Sequence, residues 1–285
     1  IWFISPGGEP LGRLSGLFDY ANITAAWLSG VWPFCLASVL HPFIFGRNRV
    51  IPCALLVAFV SAMILTDSRN AWGAIVLGLP LVVGSASWSW LIPLMFICFL
   101  PVIIAVLPGF DFGIQQFART IVPDSIWMRL NDMQFADTRT FEATRIGQWK
   151  VAVNLIFEKP WLGWGAAAFS IIYPLRTGLF HGHSHNLPLE LAISHGILVS
   201  CLLNIFVFSL LMISAYSGMF KKSNTGNDFI IDRAWWTSAL ILICFHATDI
   251  PLFDSRVNVL GWILLIGLKC MIIDPNMYNT SFKKS

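Results

Sequence analysis

Apolar residues in this chain come in long runs separated by short polar breaks. Runs at about 23–45, 50–66, 71–87, 89–108, 188–217, 234–249 and 257–273 carry little charge. A helix needs roughly 20 mainly apolar residues to cross hydrocarbon. The pattern therefore predicts an all-α, polytopic membrane helix bundle of about seven transmembrane helices. The second and third runs are the shortest, and the third abuts the fourth at "SASWSW", a tight polar turn. Three parts follow: a first half of the bundle at 1–108, a large extramembrane segment at 109–187, and a second half with a tail at 188–285.

Within 109–187 the period changes. "RIGQWKVAVNLIFEKP" places Ile146, Trp149, Val153 and Ile156 at helical spacing. Such a stripe suits an amphipathic helix lying on the membrane or on the bundle. Pro160 stops it. "PWLGWG" then reads as a turn that presses two tryptophans to the interface, where their amphipathic rings are favoured.

Composition agrees with the spans. Hydrophobic residues make up 56% of the chain and charged ones 12%, with mean hydropathy +0.72. A soluble domain carries about 25% charged residues. The net charge of +3 is too small to suggest nucleic acid as a partner, and no basic-aromatic run supports one. All six cysteines fall in apolar stretches without CxxC spacing. They read as small core or lipid-facing residues rather than a disulfide framework or zinc knuckle. The chain opens on "IWFISPGGEP", without Met or signal-peptide order. That opening resembles the end of an earlier span and suggests the C-terminal part of a longer protein.

Basic residues set the sidedness. "GRNR" (46–49), "KK" (221–222) and "KK" (283–284) all fall on one side of a seven-span arrangement, which the positive-inside rule makes cytoplasmic. The other face receives 10–22, "DSRN" (67–70), the segment 109–187 and "DIPLFDSR" (249–256). Arg69, Arg145, His185, Asp249 and Arg256 thus come out on one non-cytoplasmic surface.

Chemistry concentrates at "HGHSHNLPLELAISHG" (181–196), which holds four of the six histidines. Asn186 can cap the following helix, Pro188 suits its first turn, and Glu190 suits the positive end of its dipole. His185 then stands just outside a helix N-terminus that also attracts anions. A neutral imidazole there is a candidate general base beside a phosphate, or else a solvated loop histidine. His181, His183 and His185 alternate and would point one way in an extended segment. They could form a three-histidine zinc site. Against that reading, HExxH is absent, Gly182 and Ser184 imply a flexible segment, and Glu190 lies too far along to ligate; no metal is expected. Arg69 in "TDSRNAW" and Arg145 at the start of the amphipathic helix could hold a diphosphate in bidentate fashion. Arg69 could equally pair with Asp67 or snorkel. Arg256, with Asp249 and Asp254, reads as a phosphate ligand or a structural ion-pair corner. His195 and His246 read as core histidines inside spans, and His41 has no visible role.

Four pieces together, "GRLSGLFDYAN", "TDSRNAW", "RIGQWKVAVNLIFEKPWLGWG" and "HSHNLPLELAISHG", give the chain a resemblance to the O-antigen ligase/polymerase family of bacterial polysaccharide membrane proteins. The family's His-Asn pair, with glycine ten positions after the second residue, matches His185, Asn186 and Gly196. The resemblance implies a metal-independent glycosyltransferase, needing no cofactor, in the bacterial inner membrane and working on its periplasmic face. Its partners would be an undecaprenyl-diphosphate-linked glycan donor, a lipid A-core or glycan acceptor, and membrane lipids. By motif match, Arg69 and Arg145 would bind the diphosphate and His185 would activate the acceptor hydroxyl; Asn186 and Arg256 are further candidate substrate-binding residues. A polymerase of the same family, a protein O-glycosyltransferase and a transporter are the alternatives. A transporter would show inverted repeats and broken helices meeting at mid-membrane.

Overall fold

A computed structural model describes residues 12–18, 20–41, 49–109, 111–131, 140–216 and 228–272. The lysine pairs at 221–222 and 283–284, and Arg47 of "GRNR", lie outside the described residues. Twelve α-helices follow one another, with no strand among the described residues. They are α1 (Ala21–Leu40), α2 (Val50–Leu65), α3 (Arg69–Val83), α4 (Trp88–Val106), α5 (Phe112–Ile121), α6 (Asp124–Leu130), α7 (Arg145–Glu158), α8 (Ala168–Thr177), α9 (Leu187–His195), α10 (Ile197–Ser214), α11 (Asp228–His246) and α12 (Ser255–Ile272).

Among the described residues, five segments are long and apolar enough to cross a membrane: α1, α10, α12, most of α11, and Ser85–Val106, which contains α4. α2 and α3 are apolar but shorter, at 16 and 15 residues. The architecture is the expected all-α membrane bundle. α1 lies at its centre against α2, α3 and α11. Its buried positions include Ala25, Ala26, Ser29, Gly30 and Ala37. Small residues let helix axes approach closely where lipid supplies no hydrophobic drive for association. Trp32 fills the space between α1, α3 and α11. The outward faces of α4 and α10 expose Phe96, Ile97, Leu202 and Phe206. Contiguous apolar surface of this kind is what hydrocarbon solvates.

The run at 188–217, expected as one span, is divided. α9 ends at His195, α10 begins at Ile197, and Gly196 between them has φ +89°. The cause lies in the extramembrane segment, whose turn after α7 docks into the break. Ile197 N–H donates to the Pro160 carbonyl at 2.8 Å, Trp164 N–H to the Ile193 carbonyl at 2.7 Å, and Gly165 N–H to the Ser194 carbonyl at 3.1 Å. These bonds satisfy groups that a helix break would leave bare near the membrane. A Cβ on Gly196 would collide with the Trp161 carbonyl, and one on Gly163 with the Ile193 carbonyl. His195, expected inside a span, is instead exposed at the end of α9.

The apolar stripe of α7 also differs from expectation. Its buried face is Gly147, Gln148, Ala152, Leu155 and Ile156, whereas Ile146 is 65% exposed. Leu155 and Ile156 pack with Phe169 and Tyr173 of α8 and Ile193 of α9 in a second small core outside the bundle. Docking of α9, a tertiary contact, turned the helix by more than its own periodicity indicated.

Gly196→Ala should lower stability by roughly 2–4 kcal/mol, because it adds a side chain at positive φ and against a backbone carbonyl. A thermal melt of the purified protein in detergent reads this. Gly182→Ala, where a Cβ meets nothing within 4 Å, should change the melting temperature little.

Candidate active site

The histidine loop is held from both sides. From α7, Gln148 Nε2 lies 3.2 Å from His181 Nε2, and Trp149 Nε1–H donates to the Ser184 carbonyl at 3.1 Å. From α9, the buried Glu190 carboxylate accepts the Ser184 N–H at 2.9 Å. Asn186 caps α9 by accepting the Leu189 N–H at 3.0 Å, with Pro188 in the first turn. The segment read as flexible is thus fixed, and Ser184 is fully buried. The three alternating histidines do gather: ring centroids of His183 and His185 are 4.3 Å apart, and those of His181 and His185 6.2 Å. They do so around a bend rather than in an extended strand, because His185 has φ +53°. Non-glycine residues rarely adopt that region, and where they do it clusters at functional sites. Asp67, beside Ser68 and Arg69, shares the feature at φ +48°.

The bend brings His185 to the turn after α11. His185 Nδ1 lies 3.1 Å from Asp249 Oδ1, and His183 Nε2 lies 3.8 Å from the same oxygen. Asp249 is only 7% exposed. The Ile250 N–H donates to its Oδ1 at 2.9 Å, and Asn22 Nδ2 donates to its Oδ2 at 3.1 Å. Burial by itself would raise the Asp249 carboxyl. The hydrogen bond from His185, the two imidazoles and the Ile250 amide outweigh it and hold the group at about 2. A permanently ionised carboxylate on Nδ1 fixes the His185 tautomer with its proton on Nδ1, which leaves Nε2 as a proton acceptor. Asn186 Nδ2 donates to the Ala247 carbonyl at 3.0 Å and ties the loop to the same turn.

Arg145 and Arg13 bring positive charge near this pair. Tyr20 feels Asp249, Arg13, Arg145 and Arg129 together, and burial with Asp249 raises its phenol. Arg145, the first residue of α7, also acts on His183. Arg69, the first residue of α3, acts on Asp67, which Arg129 Nε approaches at 3.6 Å. Burial raises the Asp67 carboxyl against the pull of Arg129, Arg13 and Arg69. Arg256 is held by Asp254 and by the segment before α1. It grips Asp254 with Nε at 3.1 Å and Nη2 at 2.7 Å, donates to the Leu17 carbonyl at 2.6 Å, and stacks over Phe18 at 4.1 Å. His246 is buried in α11 with Nδ1 at 2.6 Å from the Leu242 carbonyl.

Sequence reasoning left three participants without a role. Arg13 and Asn22 sit in "GRLSGLFDYAN", and Arg129 sits in α6. The close succession of Arg and Asn in a polar stretch before a span was the available signal for the first two. No local pattern marks Arg129. Asp249 was grouped with Arg256 and Asp254 rather than with His185.

His183, His185 and Asp249 each offer a ligand atom within 4.8 Å of the others. The same three residues are linked to one another by hydrogen bonds. His183 Nδ1 accepts the His185 N–H at 3.2 Å, so its proton sits on Nε2, the atom that would have to ligate.

Burial, helped by the neighbouring His185, pushes the His183 imidazole down to about 4. The folded state therefore favours neutral His183. Its contribution to stability is full above the unfolded value near 6.5 and is lost as pH falls toward 4, reaching about 3 kcal/mol at the limit. Melting temperature should drop over that window in the parent protein and drop less in His183→Asn, which keeps an acceptor for the His185 amide.

A family model described as O-antigen ligase matches residues 54–204, from α2 through the histidine loop into α10. No curated relative matches the chain. The matched region is more than half of the chain and contains Arg69, Arg145, His185 and Gly196, and the chain belongs to the O-antigen ligase family.

Proposed function

We propose that the chain transfers a glycan from undecaprenyl diphosphate to an acceptor hydroxyl of lipid A-core, at the periplasmic face of the bacterial inner membrane. The observation that carries the reading is the His185–Asp249 pair, 3.1 Å apart, within a group of arginines at the end of an apolar bundle. His185 Nε2 takes the proton of the acceptor hydroxyl as its oxygen attacks the anomeric carbon. The bond from that carbon to the phosphate oxygen breaks, and its electron pair leaves with the diphosphate. Arg145 and Arg69 meet the charge that builds there, and Asp249 stabilises the imidazolium that forms. No metal takes part in this scheme.

A lipid-linked donor suits the surroundings. An apolar cleft of about 190 Å³, lined by residues such as Leu187, Pro188, Leu203, Val207, Leu242 and Trp262, begins at the two residues that follow Asn186. The transporter reading loses ground at the α9–α10 break. Discontinuous helices in transporters offer freed backbone groups to ions, whereas here the Ile197 amide and the Ile193 and Ser194 carbonyls are bonded to the turn at 160–165.

Purified protein in lipid nanodiscs, given an undecaprenyl-diphosphate glycan and lipid A-core, should form the conjugate. His185→Ala should lose about 10³-fold or more of the rate, and Asp249→Asn about 10²–10⁴-fold, through loss of the base and of its tautomer. Arg145→Ala should weaken both kcat and donor binding. Retained activity in a correctly folded His185→Ala protein rejects the base assignment. Loss of parent activity in EDTA rejects metal independence. Elongation of the glycan without lipid A-core assigns the chain as a polymerase.

A further inference from the structure

Arg13 and Asn22 take no step in the transfer, yet they are built into its support. Arg13 is only 6% exposed. Its Nε donates to the Thr66 carbonyl at 2.7 Å and its Nη2 to Asn22 Oδ1 at 2.8 Å. With Oδ1 occupied by a guanidinium, the Asn22 amide can present only its NH2 to the other side. There Nδ2 donates to Asp249 Oδ2 at 3.1 Å, while Oδ1 of the same carboxylate meets His185. We propose that Asn22, locked by Arg13, is a positioning residue for the base, which fixes the Asp249 carboxylate and sets how strongly it draws the proton of His185.

The physical route is short. A hydrogen bond to Oδ2 withdraws charge from the carboxylate. Without it the carboxylate holds the imidazolium form of His185 more tightly, and the base is free only at higher pH. It also gains freedom to rotate, so that the imidazole is presented less often in the productive orientation. The titratable and charged groups around His185 are Asp249, His183, His181 and Glu190, with Arg145 and Tyr20 acting on His183 and Asp249. Of these, Asn22 bonds to Asp249 alone. The proposal rests on His185 as the base, but its test need not use transfer.

The experiment compares the parent with Asn22→Leu, similar in volume and without the donor, and with Arg13→Lys. Lysine keeps the charge but cannot hold Thr66 and Asn22 with one planar group. The rate at which diethyl pyrocarbonate modifies His185 is followed against pH, with peptide fragmentation separating it from His181 and His183. The midpoint should move up by about 0.5–1 pH unit in both variants, with melting temperature showing that each is folded. In the transfer assay, kcat at pH 7 should fall about 3- to 10-fold, with KM for the lipid donor unchanged and the deficit narrowing as pH rises. An unmoved or lowered modification midpoint in folded Asn22→Leu and Arg13→Lys overturns the proposal. If the parent shows no transfer at all, the functional reading fails, while the modification midpoint still decides the role of Asn22.

Discussion

A carboxylate buried at the rim of an apolar bundle must be fully hydrogen bonded or give up its charge, and Asp249 meets the first condition through groups from distant parts of the chain. α1 supplies the Asn22 amide, the histidine loop supplies His185, and the turn after α11 supplies its own Ile250 amide. Each of these is held in turn: Asn22 by Arg13, and the histidine loop by Trp149 and Glu190. Removing the carboxylate would leave several donors unpaired in a poorly solvated place. Satisfying one charge thus ties α1, the histidine loop and the turn after α11 together.

The second constraint comes from backbone. A break in a membrane-edge helix is tolerated only where its freed groups find partners. The turn at 160–165 provides them, and in doing so it fixes α7 to α9 and thus Arg145 to the histidine loop. Two glycines make the approach possible, Gly196 at the break and Gly163 in the turn. The motif pieces "EKPWLGWG" and "ISHG" are in this sense one structural device, split by some thirty residues of sequence.

What was legible beforehand follows the range of each interaction. Caps are local, so Asn186, Pro188 and Glu190 could be placed around the start of α9 from their types alone. Span positions depend on runs of apolar residues and were mostly readable within a few residues, although α11 begins at Asp228 rather than at 234. The break at Gly196 was not, although Ser194, His195 and Gly196 interrupt the apolar run there, because its cause lies in a turn elsewhere. The same holds for the face of α7, set by α8 and α9 rather than by its own period. The pairing of His185 with Asp249 spans 64 positions and carries no spacing signal. Arg256 offered a nearer partner for Asp249 on paper, yet it bonds Asp254 two residues away.

The same hydrogen bonds decide which of three clustered imidazoles can act as a base. His181 has its Nε2 beside the Gln148 amide. His183 accepts the His185 N–H on Nδ1 and turns Nε2 toward Asp249, so its one basic lone pair is in use and burial disfavours a second proton. His185 alone is tied to the carboxylate through Nδ1, which leaves Nε2 uncommitted by that pairing. Distance to the shared oxygen, 3.1 Å for His185 and 3.8 Å for His183, does not by itself assign the roles. The orientation of each ring does, and it is set by a backbone amide held in a left-handed bend. Strain at His185 thus has a defined chemical effect: it places that residue's amide on the neighbouring imidazole and its own ring on the acid.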